Sequence, residues 1–215
     1  MHGMKTTLIG LSAMLCLLAG TAQAQVKQSW GSGADDASFA AMIKSGFRDV
    51  GSVKTDRLVQ DETQAFCSDP KAVVDPSNAK KAEALEATNL TTVKYPADGK
   101  FLGDWKVGER VAQSGRGLTW TDPATIANGG NCYNCHQFSP AEISFGTIGP
   151  SLLNYGKLMG NTEDVLRRAW AKIYNSKSVN ACSNMPRAGH MGILKEKDMQ
   201  DLMALLFDPE SPVNK

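Results

Sequence analysis

Histidine is scarce in this chain, with three in 215 residues, and only His136 and His190 lie beyond the N-terminal leader. So few imidazoles leave no Ser/His/Asp set and little general acid–base machinery. Charge of one sign is also lacking. Lys and Arg number 23 against 22 Asp and Glu, so no broad field draws in DNA, RNA or an anionic lipid surface. Aromatic residues are only 7% of the chain, too few for a base-stacking platform. No apolar run reaches the roughly 20 residues that span a bilayer as a helix. Internal repeats and low-complexity tracts are missing too. What is present is ordinary globular composition, 42% apolar and 21% charged, enough for one packed domain with an extension.

The first two dozen residues read as a leader rather than as part of the fold. Lys5 supplies a positive charge, 7–20 is apolar, and Ala22-Gln23-Ala24 is a small-x-small cleavage site. Cys16 raises lipid attachment as an alternative, but Leu15 before it is too large for that processing; a buried N-terminal helix is the remaining rival. The expectation is a signal peptide over 1–24 and a mature chain from Gln25, exported to the periplasm with no membrane insertion. The mature chain has 22 basic and 22 acidic residues.

Export places Cys67, Cys132, Cys135 and Cys182 in an oxidising compartment. Two of them open the string Cys132-Tyr133-Asn134-Cys135-His136, the attachment signature of a c-type haem. Two thiols at this spacing reach two vinyl groups on one porphyrin edge, and the adjoining imidazole comes under the iron. A zinc site would want a second pair of close ligands, and none follows. A thioredoxin-like pair would want a preceding strand, where Asn128-Gly129-Gly130-Asn131 reads as a turn. A structural disulfide gives no reason for the following histidine.

A second axial ligand can come from few places. Met185, in Cys182-Ser183-Asn184-Met185-Pro186, is a soft neutral thioether that raises the reduction potential, and Pro186 stiffens its loop. His190 is the main rival and would lower the potential; Met191 is a weaker one, and an open site remains possible. The surroundings read as helical. Residues 196–207 carry Met199, Leu202, Met203 and Leu206 at helical spacing before Asp208-Pro209. Asn161 or Thr162 can cap a helix over 163–174, with a stripe of Val165, Leu166, Ala169, Trp170 and Ile173. Residues 105–114 present Gly108, Val111 and Ala112 on one side, small enough for another helix to approach closely. The loop Gly146-Thr147-Ile148-Gly149-Pro150-Ser151-Leu152 offers carbonyls that could take the His136 Nδ1 proton. The expected fold class is all-α.

These strings resemble a known family. Gly149-Pro150-x-Leu152 after C-x-x-C-H, followed by Met185-Pro186, is similar to class I cytochromes c. Asn131-Cys132-Tyr133-Asn134-Cys135-His136-Gln137, Asn180-Ala181-Cys182-Ser183-Asn184-Met185-Pro186-Arg187, Leu205-Leu206-Phe207-Asp208-Pro209 and Tyr95-Pro96-Ala97-Asp98-Gly99 resemble the SoxX family more specifically. That family comprises the monohaem subunits of the heterodimeric SoxAX cytochromes of sulfur oxidation. The resemblance covers about 80–215. It implies one covalent haem c, with Cys132 and Cys135 as thioether links, His136 and Met185 as axial ligands, and the Pro150 carbonyl orienting His136. It also implies partners: a SoxA-like haem subunit bearing the catalytic site, a SoxYZ-like carrier whose cysteine receives thiosulfate, and a small cytochrome c that accepts electrons. The assembly would be an L-cysteine S-thiosulfotransferase, with this chain its electron-transfer subunit and no catalytic residue of its own. Two departures stand out: the long stretch 118–131 before the motif, and Ala188 before Gly189. The main alternative is a free periplasmic electron carrier serving an oxidase or reductase; a haem sensor with an open sixth position is the third reading.

The layout expected is an extension over 25–100 and a haem domain over 101–215. Phe39, Ile43 and Phe47 suggest a helix after Asp35-Asp36, and 80–87 reads as a short exposed helix. Cys67 and Cys182 are candidates for a disulfide pinning the extension near Met185; a bond to a partner chain or a free thiol at Cys182 are the alternatives.

Overall fold

The computed structural model describes residues 37–123 and 125–215. The leader, its cleavage site, Cys16 and the Asp35-Asp36 cap lie outside the described residues. Among these residues the regular elements are helices, and the one β interaction is an isolated bridge between Val50 and Val53. Eight α-helices follow one another: α1 Ala37–Gly46, α2 Glu62–Ser68, α3 Pro70–Val74, α4 Ala79–Thr91, α5 Trp105–Gln113, α6 Tyr155–Met159, α7 Glu163–Tyr174 and α8 Glu196–Phe207. Short 3₁₀ turns occur at Thr55–Leu58, Pro76–Asn78, Cys132–Asn134 and Ser176–Ser178. The described part is all-α.

Helix α8 organises the core. Its apolar stripe is wider than a simple amphipathic face, because Leu205 and Phe207 are buried along with Met199, Leu202, Met203 and Leu206. It ends where Asp208 turns extended before Pro209. Helix α5 lies against it with Gly108 at the contact, where a Cβ would overlap the Asp201 carbonyl. A glycine there lets two backbones touch. Asp201, itself buried, seals the crossing. Its carboxylate accepts from the Asp104 amide at 2.7 Å and from the Lys197 ammonium. Asp104 in turn caps α5 through the Lys106 amide at 2.8 Å.

Helix α7 contributes Ala169, Trp170 and Ile173 to the same core. Trp170 is fully buried, meets Phe101 edge-on, and its indole N–H donates to the Lys94 carbonyl at 2.8 Å. Thr162 is the residue before the first turn of α7, yet its side chain makes no capping hydrogen bond. Glu163 and Asp164 instead put negative charge at the helix N-terminus.

One expectation for the N-terminal region needs correction. The stretch read as a short exposed helix over 80–87 is the thirteen-residue α4, with Leu85 and Asn89 buried. Its Lys/Glu/Ala-rich composition hides a narrow inner face carrying Leu85 and Asn89. Leu85 joins Phe66 and Ala181 in a small second core, beside the Cys67–Cys182 disulfide. Helix α1 forms where Phe39 and Ile43 suggested one, with Phe39 exposed and Ile43 half-buried.

Candidate functional site

The Asn128-to-Asn131 turn docks on the end of α5: the amides of Gly129, Gly130 and Asn131 donate to the carbonyls of Arg116, Val111 and Ser114 at 2.8–2.9 Å. Asn131 adopts the left-handed conformation, φ 50°, which asparagine tolerates better than most residues. The chain then enters the 3₁₀ turn Cys132–Asn134, closed by the Cys135 and His136 amides on the Cys132 carbonyl at 3.0 Å.

A second strand of loop runs beside this one. The amides of Gly146, Gly149 and Leu152 donate to the carbonyls of Tyr133, Cys135 and Gln137 at 3.0, 2.8 and 2.8 Å. Two of those donors are glycines of necessity. A Cβ at Gly146 would overlap the Asn134 carbonyl, and one at Gly149 would overlap the His136 ring. The paired loops hold the imidazole between them.

His136 Nδ1 lies 2.7 Å from the Pro150 carbonyl oxygen. A carbonyl only accepts, so Nδ1 carries the proton, and in the neutral imidazole the lone pair is left on Nε2. The ring is thereby oriented and fixed in one tautomer, which is what a metal-ligating histidine requires.

Cys132 and Cys135 are both free and half-buried. Burial pushes the Cys132 thiol up to about 11, so it is un-ionised at neutral pH. A catalytic redox pair needs the opposite, a thiol lowered toward thiolate. The C-x-x-C spacing therefore does not sit here in a thioredoxin-like environment, and the described residues contain no strand ahead of it.

Met185 is partly buried against the main core. Its carbonyl accepts from the Ser176 hydroxyl at 2.5 Å, and its amide donates to Ser183 Oγ at 3.2 Å. His190 and Met191, its rivals, are both exposed, although the His190 imidazole is held below its ordinary value by burial and by Arg187. Cys67 and Cys182 are joined, with Cα atoms 5.3 Å apart.

Some residues of the site were missed by sequence reasoning. Tyr133 stacks flat on Phe138, with centroids 4.4 Å apart and planes 7° off parallel, and burial pushes its phenol up to about 12. Glu142 Oε1 accepts from the Phe138 and Ser139 amides at 2.7 and 2.6 Å, while its Oε2 is buried without a partner. The spacing Ser139-x-x-Glu142 is a capping-box pattern and would have pointed to that turn.

Two cavities lie elsewhere. One of about 280 Å³ borders the disulfide, with Phe66, Val73, Glu86 and Cys182 in its wall. Another of about 460 Å³ lies beside Leu118, Ile126 and Ile193. Neither is lined by His136 or Met185. Among the described residues, no helix is long and apolar enough to cross a membrane, and no three His, Cys, Asp or Glu side chains gather as a metal cluster.

No family model matches the chain. It is similar to an uncharacterized lipoprotein of Aquifex aeolicus (strain VF5), 37% identical over 159 residues that cover 73% of this chain and 73% of that protein.

Proposed function

The chain belongs to the family of that Aquifex lipoprotein, and we propose that within it this protein is an exported monohaem cytochrome c with the class I fold. The observation that carries the reading is the His136 Nδ1–Pro150 carbonyl hydrogen bond of 2.7 Å, immediately after two free thiols. The residues present fit a covalent haem. Cys132 and Cys135 would form the thioether links, His136 Nε2 and the Met185 thioether would be the axial donors, and Gly149 leaves the ring its place. Bound there, haem supplies reversible one-electron chemistry.

The chain's own residues account for the rest. The Pro150 carbonyl accepts from Nδ1 and orients the ring, which leaves Nε2 as the atom that would ligate. A soft thioether favours the ferrous state, and two protein ligands leave substrate no position. The function is then electron transfer, with the chemistry on a partner. In that scheme this chain is the SoxX-like subunit of a SoxAX-type heterodimer. It would accept, one at a time, the two electrons released when thiosulfate is joined to a SoxYZ-like carrier cysteine and pass each to a small cytochrome c. Export is supported by the leader pattern and by the lipoprotein name of the relative.

A tagged pull-down from the native periplasm, with haem staining of what co-elutes, tests this. A stoichiometric second cytochrome, with thiosulfate-dependent reduction of the complex but not of this chain alone, is the expected result. A chain that elutes alone and exchanges electrons with an oxidase is the free carrier instead. The mass of the mature N-terminus separates cleavage before Gln25 from lipid attachment at Cys16.

A further inference from the structure

The loop that carries Met185 is held by a part of the chain about a hundred residues away. From α2 and the residue before it, Asp61 pairs with the buried Arg187 at 2.6 Å, and Cys67 is bonded to Cys182. From α4, Glu86 Oε1 accepts the Ala181 amide at 2.9 Å. Asn89 Oδ1 and Thr92 Oγ1 accept from the Nδ2 of fully buried Asn175 at 3.0 and 2.9 Å. Asn89 is itself fixed by Nδ2 donation to Thr63 Oγ1 at 2.9 Å.

Inside the loop the chain of contacts continues to Met185. Lys177 Nζ donates to the Ala181 carbonyl at 2.9 Å, and Lys172 Nζ to Ser183 Oγ at 3.2 Å. Ser183 takes the Met185 amide and Ser176 holds its carbonyl. Almost every residue or two between Asn175 and Arg187 is therefore fixed, and the outer fixings come from 61–92. The segment buries Phe66 and Leu85 against Ala181 of this loop, and around that small core it adds polar contacts and a covalent bridge to the same loop.

We propose that the segment 61–92 is a clamp, with Asp61, Cys67, Glu86 and Asn89 as positioning residues for Met185, keeping the thioether in place against competing ligands. The proposal rests on the reading of Met185 as an axial ligand. A ligand loop exchanges only through its open state, so the apparent affinity of an outside ligand scales with the open fraction. Without the clamp, that fraction rises.

The test uses the full haem-loaded chain, with imidazole as the competing ligand for the ferric protein. Cys67→Ser with Cys182→Ser, and separately Glu86→Ala, are expected to raise imidazole's apparent affinity about tenfold, while haem content stays unchanged. Glu86→Gln keeps the acceptor for the Ala181 amide and should stay within about twofold of wild type. The second measurement is amide hydrogen exchange over 175–187 before and after mild dithiol reduction of the wild-type chain. Faster exchange there, with α8 still protected, is expected. Unchanged imidazole affinity in the variants, or unchanged exchange on reduction, overturns the clamp. If the chain carries no haem, the cytochrome reading falls, and the exchange measurement still decides the clamp.

Discussion

The two residues proposed as axial ligands are held in opposite ways. His136 sits between two neighbouring loop segments that exchange backbone hydrogen bonds, and its own proton goes to a carbonyl fourteen residues on. Met185 sits on a loop fixed by side chains and a disulfide, with partners up to 126 residues away in sequence. The first device is local and made of backbone; the second is remote and made of buried polar groups. Backbone pairing tolerates many side chains but insists on glycine where segments touch. A polar clamp tolerates little, because each buried donor left without its acceptor costs about 1–3 kcal/mol.

The largest expected effect is on the remote side. The bridge from Cys67 to Cys182 closes a separation of 115 residues. The chain-entropy view then gives its removal a cost of about 4–5 kcal/mol, read as a lower urea midpoint for Cys67→Ser with Cys182→Ser. An unchanged midpoint would show that the loop is held without it. Next comes the local side: Gly149→Ala puts a Cβ into the His136 ring. It should cost about 1–3 kcal/mol and lower the haem recovered with the protein, whereas normal recovery would mean the ring can shift. Asn89→Ala is expected to cost a similar or smaller amount, about 1–2 kcal/mol in denaturant unfolding, because Asn175 and Thr63 each lose a partner. Its effect on the haem spectrum should be confined to signs of a loosened thioether.

The smallest effect is electrostatic. Burial works to raise the Asp61 carboxyl, but the Gln64 amide and the Arg187 guanidinium outweigh it and hold the group below its ordinary 3.8. A depressed carboxylate stabilises the fold fully above that ordinary value and loses this as pH falls through the lower folded value. Asp61→Asn keeps an N-cap for α2 while removing the charge. The difference in urea midpoint between wild type and Asp61→Asn should therefore narrow from about pH 6 to about pH 3. A constant difference would show that the ion pair with Arg187 is not its source.

Much of the local architecture was legible. Helices α7 and α8 follow from apolar residues at a 3.6 period, and α8 ends at Asp208-Pro209 as the sequence suggests, whereas the cap expected of Thr162 makes no side-chain hydrogen bond. Helix α5 follows from Gly108 and Ala112 on one side, and its contact with α8 is the close approach those residues permit. The turn before Cys132 and the carbonyl-rich loop after it were visible as Gly and Asn clusters. Helix α4 was misjudged because its buried face is narrow and half polar: beside Leu85 it offers Asn89, which reads as surface until Thr63 and Asn175 are known to meet it. Asp201 is a like case, a carboxylate inside an apolar helix face whose partner amide is 97 residues away.

Sequence alone determined what depends on neighbours along the chain: the helical periods, the C-x-x-C-H spacing, and the glycines that let two adjacent segments run side by side. Tertiary structure decided which cysteines are joined and which are free, that the half-buried Cys132 thiol is pushed up rather than down, and that 61–92 grips the Met185 loop. The physical reason is range. Backbone hydrogen bonds and helical faces repeat over a few residues and leave a periodic trace, whereas a buried polar contact between distant residues leaves none until the fold brings them together.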